Sequence, residues 1–252
     1  MRPGFIPLSA DYFLCWGSIE PEKMKGWGVG EDRILIAGSP RHDVIFSKAN
    51  SYNAPKLEPE KGVKVLYINS PFHERWRPDF LNSHISQDSH FRTLKTLGDL
   101  KEKYPTMKLA FKFHPRDLEK DDTKKVLRSY FNDDVSFHEK NDLYNLIMEN
   151  DIVIAAWSSA CLEALMFGKR LIVVNFESAL VMFPIGDKQD AWRVFNEQQL
   201  IEKFDKAISL SAEELTNYHA RVRSFIERVF HNRDGSATDK ASLLIEEIGC
   251  LK

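Results

Sequence analysis

Between Val63 and Phe176 the chain keeps switching between short apolar, β-branched runs and stretches of helical periodicity. The apolar runs are VKVLYIN (63–69), KLAFKFH (108–114), VSFHE (135–139), DIVIAA (151–156) and RLIVVNF (170–176). The stretches at 86–104, 118–130, 142–150 and 158–167 have helical character, and Pro105 stops the first of them. Runs that are apolar throughout suit strands buried on both faces, which occur in parallel sheets. This alternation predicts an α/β fold, a doubly wound, Rossmann-like parallel sheet. Residues 211–248 read as two closing C-terminal helices, the first opening on a Ser211/Glu214 capping box.

In such a sheet, ligands bind beyond the carboxyl ends of the strands. Four loops therefore matter: Asn69-Ser70-Pro71, His114-Pro115-Arg116, Phe137-His138-Glu139 and Trp157-Ser158-Ser159. Two serines where a strand turns into a helix either cap that helix or offer hydroxyls and unpaired N–H groups to an anion. Spacing leaves both open. Glu163, four residues after Ser159, shares the serines' helix face about one turn on, placed to accept from hydroxyls or to be solvated or paired. His114 can donate to a phosphate oxygen and Arg116 offers a charge-assisted fork. His73, Arg75 and Trp76 are weaker candidates in the loop after the first strand.

Composition closes off other classes. A formal charge of −2 gives no basis for bulk binding to nucleic acid. Three scattered cysteines without CxxC spacing fit neither a disulfide framework nor a zinc site, and point to a reducing, cytoplasmic setting. No apolar run approaches the roughly 20 residues that span a bilayer. There is no GxGxxG after the first strand, no GxxxxGK[ST], no GxSxG and no DxD. SKANSYNAPKLEPEKG (47–62) reads as a linker.

Taken in order, ADYFLCWG (10–17), DRILIAGSPRHD (32–43), FKFHPRD (111–117), NDIVIAAWSSACLEALMFGKRLIVVNF (150–176) and NRDGSATDKASLLIEEI (232–248) resemble the C-terminal half of GT-B glycosyltransferases of bacterial surface polysaccharides. The His-Pro and Ser-Ser pairs are most similar to those of the sialyltransferases, the capsule Kdo transferases and the CDP-glycerol glycerophosphotransferases. GSPRHD and Glu163 also resemble the UDP-GlcNAc 2-epimerases.

The resemblance implies a nucleotide-sugar donor, CMP- or CDP-linked rather than UDP-linked, and no other cofactor or metal. It gives His114 the departing phosphate, Ser158, Ser159, Arg116 and Ser70 the donor phosphates, Glu163 the ribose, and His138 and Glu139 the base. The step implied is a metal-independent displacement at the anomeric carbon. Glu163 departs from the Asp frequent in the glycerophosphotransferases, which favours a sugar nucleotide over CDP-glycerol. The resemblance also implies a remnant of an N-terminal domain and hinge at 1–46 and a donor-binding domain at 63–252. The acceptor site then belongs to a missing domain or partner chain, and peripheral contact with the inner membrane face is compatible with it. Three other readings stand beside this one: a catalytically silent nucleotide-binding module, a CDP-glycerol glycerophosphotransferase-like enzyme, and an epimerase-like enzyme.

Overall fold

A computed structural model of the chain describes residues 10–70, 86–115, 117, 120–156, 158–177, 185–186, 190–231 and 233–250. Two compact units emerge: Met1–Tyr52 with Arg223–Lys252, and Asn53–Val222.

The first unit begins with β1 (Phe13–Cys15), α1 (Ile19–Gly26), β2 (Ile34–Ile36) and α2 (Asp43–Ser51), and β1 pairs parallel to β2. Helix α2 runs into the stretch read as a linker, because Ile45 and Phe46 on its first turns are buried.

The second unit carries β3 (Lys64–Ile68), α3 (Gln87–Lys103), β4 (Lys108–Lys112), α4 (Lys120–Phe131), β5 (Val135–His138), α5 (Leu143–Glu149), β6 (Ile152–Ala156), α6 (Ala160–Met166), β7 (Arg170–Val174), β8 (Trp192–Val194) and α7 (Glu197–Ile208). Its six strands are all parallel, in the order β5-β4-β3-β6-β7-β8. The strand order reverses between β3 and β6, which makes that crevice the switch point of a doubly wound sheet. Residues 65, 67, 109, 111, 152, 154, 172 and 174 turn one face to a core completed by Leu94, Leu97 and Leu100 of α3, Leu127 and Phe131 of α4, and Leu200 and Phe204 of α7. The alternate residues Leu66, Val153, Leu171 and Val173 are equally buried and point to the opposite face.

The helix starts follow their capping residues. Ser86 Oγ accepts from Ser89 N–H at 3.1 Å, Asp142 Oδ1 from Tyr144 N–H at 2.9 Å, and Asn196 Oδ1 from Gln199 N–H at 2.9 Å. The box at Ser211 and Glu214 forms in both directions and opens α8 (Ala212–Phe230). Strand β8 and helix α7 add to the five expected alternations. Strand β8 is three residues long with Arg193 at its centre, too short and too polar to register as an apolar run.

The last helix, α9 (Ala237–Cys250), groups with the first unit, not with the sheet domain over 63–252. The cause is local chemistry. The Asp43 carboxylate accepts from Ala237 N–H at 3.0 Å, from Thr238 N–H at 2.8 Å and from the Thr238 hydroxyl at 2.6 Å, so it caps α9 from 194 residues away. Next to it, His42 is fully buried between the rings of Trp16 and Phe230, with Nδ1 2.6 Å from Ser39 Oγ. Burial there pushes its imidazole down to about 4.

Candidate functional site

Register carries the argument from the sheet to the site. Ile68 stands beside Lys112 on one side and Ala155 on the other. Two residues further on, Ser70 therefore lies level with His114 and with the turn leading into Ser158. Neighbouring strands are about 4.8 Å apart, so three of the expected loops emerge side by side at the switch point.

The turn at Ser158-Ser159 has its own geometry. Ser158 Oγ accepts from Ala160 N–H at 3.2 Å, while the Ser158 and Ser159 carbonyls take the first helical bonds from Cys161 and Leu162. Ser159 occupies the N-cap position of α6 without a capping bond from its side chain, and it is exposed. Ser158 holds the turn through its hydroxyl, and Ser159 is exposed without a capping bond from its side chain. Glu163 is buried within α6 at 4% exposure, not solvated on the helix face. Its charge is felt by Cys161, whose thiol burial pushes up to about 12.

The turn after β4 is closed by its own aspartate. His114 N–H donates to Asp117 Oδ2 at 2.7 Å, and Asp117 N–H donates back to the His114 carbonyl at 3.0 Å. Asn69, at the end of β3, donates through Nδ2 to the same Asp117 oxygen at 3.0 Å. Asn69, Ser70 and Asp117 are buried and His114 is half-buried. Burial pushes the Asp117 carboxyl above the usual range, opposed by its bonds from Asn69 and the His114 N–H and by the nearby charges of His114 and Lys120. Asp117 was not among the expected site residues. The available signal was an Asp three residues after a strand-ending His, with Pro between them, which is a turn signature.

The Phe137–Glu139 loop is tied to its neighbours by side-chain contacts. His138 is level with Lys112, two residues below His114, and its Nε2 lies 2.9 Å from Ser136 Oγ. It borders a groove of about 360 Å³ that also touches Ala110, Ser136 and Leu146. Glu139 is held by Lys120 at 2.8 Å and Lys124 at 3.2 Å, and these lysines draw its carboxyl below the usual range. Lys112 Nζ donates to the Glu139 carbonyl at 2.8 Å. These contacts knit the ends of β4, β5 and α4 together, with two lysines on the Glu139 carboxylate and a third on its carbonyl.

Arg116 and the loop with His73, Arg75 and Trp76 lie outside the described residues. Among the described residues, no group of three or more His, Cys, Asp and Glu could hold a metal ion, and no helix is long and apolar enough to cross a membrane.

A family model described as CDP-Glycerol:Poly(glycerophosphate) glycerophosphotransferase matches residues 11–247. Among curated proteins, the teichoic acid poly(ribitol-phosphate) polymerase of Bacillus spizizenii is 24% identical over 237 residues, covering 88% of this chain and 35% of its own length. A structure of the wall teichoic acid polymerase TagF, soaked with CDPG, superposes with a TM-score of 0.57 at 17% identity, over 94% of this chain and 56% of that one. The UDP-GlcNAc 2-epimerase of Neisseria meningitidis, bound to UDP-GlcNAc, gives 0.61 at 14% identity over 94% and 61%. These likenesses identify the fold as the Rossmann-like type of GT-B proteins. The chain spans between 35% and 42% of the length of the curated relatives it matches.

Proposed function

Because the chain belongs to the CDP-glycerol:poly(glycerophosphate) glycerophosphotransferase family, we propose that its six-stranded unit binds a CDP-linked polyol and serves polyol-phosphate transfer in cell-wall polymer synthesis. The observation that carries this reading is the register that sets Ser70, His114 and the Ser158-Ser159 turn at three adjacent strand ends.

This moves the reaction centre. The Asp-to-Glu departure at residue 163 favoured a sugar nucleotide and attack at an anomeric carbon; the family match favours attack at phosphorus. An acceptor hydroxyl attacks the phosphorus that bears the polyol, a new O–P bond forms, and the bond from that phosphorus to the bridging oxygen breaks. CMP leaves with the electron pair, and the hydroxyl proton is lost. His114 meets the charge growing on the departing phosphate. Ser159 and the N–H groups at the start of α6 hold the phosphates, Arg116 supplies a fork, and Ser70 adds a hydroxyl. Glu163 keeps its assignment beside the ribose. His138 and Glu139 border the base, Glu139 as the partner of Lys112, Lys120 and Lys124. Charge neutralisation is assigned to these groups and not to a metal.

The acceptor is assigned to a further domain or partner chain. A cytoplasmic location, with a peripheral seat at the inner membrane face, completes the proposal.

The test is calorimetric titration of the chain with CMP, CDP-glycerol, UMP and UDP, repeated with Ser159→Ala and His114→Ala. Cytidine binding that weakens about tenfold or more in both variants is expected, since hydrogen bonds to charged groups contribute about 1.5–3 kcal/mol. A uridine preference would refute the donor assignment and return the fold to the epimerase-like reading.

A further inference from the structure

Asp117 is a buried carboxylate that makes no ion pair among the described residues. Its Oδ2 takes two hydrogen bonds, from Asn69 Nδ2 and His114 N–H, while its Oδ1 is buried without a partner. Asn69 shows the same pattern, with Nδ2 engaged and Oδ1 orphaned. The amide cannot turn over to satisfy that oxygen, because this would set it against the carboxylate.

A turn such as His114–Asp117 needs only an acceptor. An asparagine side chain would supply one without the penalty of burying a charge. The charge therefore calls for an electrostatic reason, and the group tied to it through both backbone bonds is His114. The other charged or titratable groups facing this turn are Lys112 on β4, Lys120 on α4 and the Tyr67 hydroxyl on β3, with Glu139 beyond Lys112. The His114 charge draws the Asp117 carboxyl down, and the carboxylate and main chain of Asp117 are both bonded to the His114 backbone.

We propose that Asp117, held in place by Asn69, is the positioning residue of His114: it fixes the turn that carries the imidazole and provides the negative charge that an imidazolium there requires. The proposal rests on the reading of His114 as the group that meets the departing phosphate. It adds two residues, Asn69 and Asp117, that act through His114 and do not touch the donor.

The test is an NMR titration of histidine-labelled chain, with the His114 ring resonances assigned by their loss in His114→Ala. In Asp117→Asn, which keeps the shape of the turn, the midpoint of the His114 titration falls by about one unit relative to wild type. Asn69→Ala keeps the charge but frees it, and moves the midpoint less, in the same direction. This second variant decides the matter if Asp117→Asn does not fold. CMP affinity falls about tenfold in Asp117→Asn.

An unchanged midpoint in a folded Asp117→Asn overturns the inference, even where CMP binds wild type and His114→Ala weakens it. A shifted midpoint in a chain that binds no cytidine nucleotide leaves the Asp117–His114 coupling standing and sinks the donor-site reading instead.

Discussion

Asp43 and helix α9 offer the sharpest test of how the first unit is built. One carboxylate takes three hydrogen bonds at the start of a 14-residue helix, two from backbone N–H groups and one from the Thr238 hydroxyl. Losing a good cap costs about 0.5–2 kcal/mol, and removing a negative charge from a helix N-terminus adds about 0.3–1 kcal/mol. Asp43→Ala should therefore loosen α9 by about 2 kcal/mol. Asp43→Asn retains one acceptor oxygen and loses about half of that. The assay is native-state hydrogen exchange read by mass spectrometry. Two kcal/mol corresponds to about a thirtyfold loss of protection across residues 237–250, while α3 and β6 in the second unit keep theirs. If α9 protection is unchanged in Asp43→Ala, the cap is geometric only. If α3 loses as much as α9, the two units do not respond separately and the reasoning fails.

Three further outcomes are expected. Lys169 is buried, with Nζ donating to the carbonyls of Met148 at 2.9 Å and Asn150 at 2.7 Å; burial pushes its ammonium down to about 8. Its folded value lies below the unfolded one, so the unfolded chain binds more protons between about pH 8 and 10.5, and stability rises with pH across that window. The urea stability of wild type minus that of Lys169→Met should grow by about 3 kcal/mol from pH 7.5 to 10.5; a flat difference would contradict the assignment. Gly17→Ala would drive a Cβ into the carbonyl oxygens of Arg228 and Val229, and should cost about 1–3 kcal/mol by thermal denaturation. Tyr218→Phe removes a hydroxyl that donates to the Lys169 carbonyl at 2.9 Å and accepts from Leu171 N–H at 3.1 Å; chemical denaturation should show a loss of about 1–3 kcal/mol, and a neutral result would mean water replaces it.

What the sequence disclosed depended on the range over which each signal acts. Strands β3, β6 and β7 were legible because each is an unbroken apolar run, and burial on both faces leaves no room for another pattern. The Ser211/Glu214 box was legible because both partners lie within four residues. Helix α7 went unread although Leu200, Phe204 and Ala207 stand at helical spacing, since most of its other residues are polar. The membership of α9 could not be read, because the residue that caps it lies 194 positions away and nothing local in GSPRHD names its partner. The site divides along the same line. His114 and the serines stand at strand ends and could be picked out from order alone. Asp117 is three residues past His114, but its role depends on Asn69, which reaches it across the sheet. The burial of Glu163 was likewise invisible to a helix-face argument, because the face of α6 that carries it is covered.

The serine and histidine turns also explain why the resemblance could imply a nucleotide donor and an attack at the anomeric carbon while the family match leads to a proposed attack at phosphorus. A sugar nucleotide attacked at carbon and a CDP-polyol attacked at phosphorus both expel a nucleotide phosphate, so both need the same cradle of hydroxyls, helix N–H groups and a cationic donor. Ser158 is engaged in holding the turn through Ala160 N–H, which is why the proposed reading gives the phosphate to Ser159. Nothing in that cradle reports which atom is attacked, for the attacked atom lies on the acceptor side of the departing group. Family membership across residues 11–247 is the reason phosphorus is proposed as the attacked atom. In the reaction proposed above, CMP would gain its charge beside His114, and the proposed use of the buried Asp117 carboxylate is to hold an imidazolium ready for that charge, so that no proton need be acquired during the step.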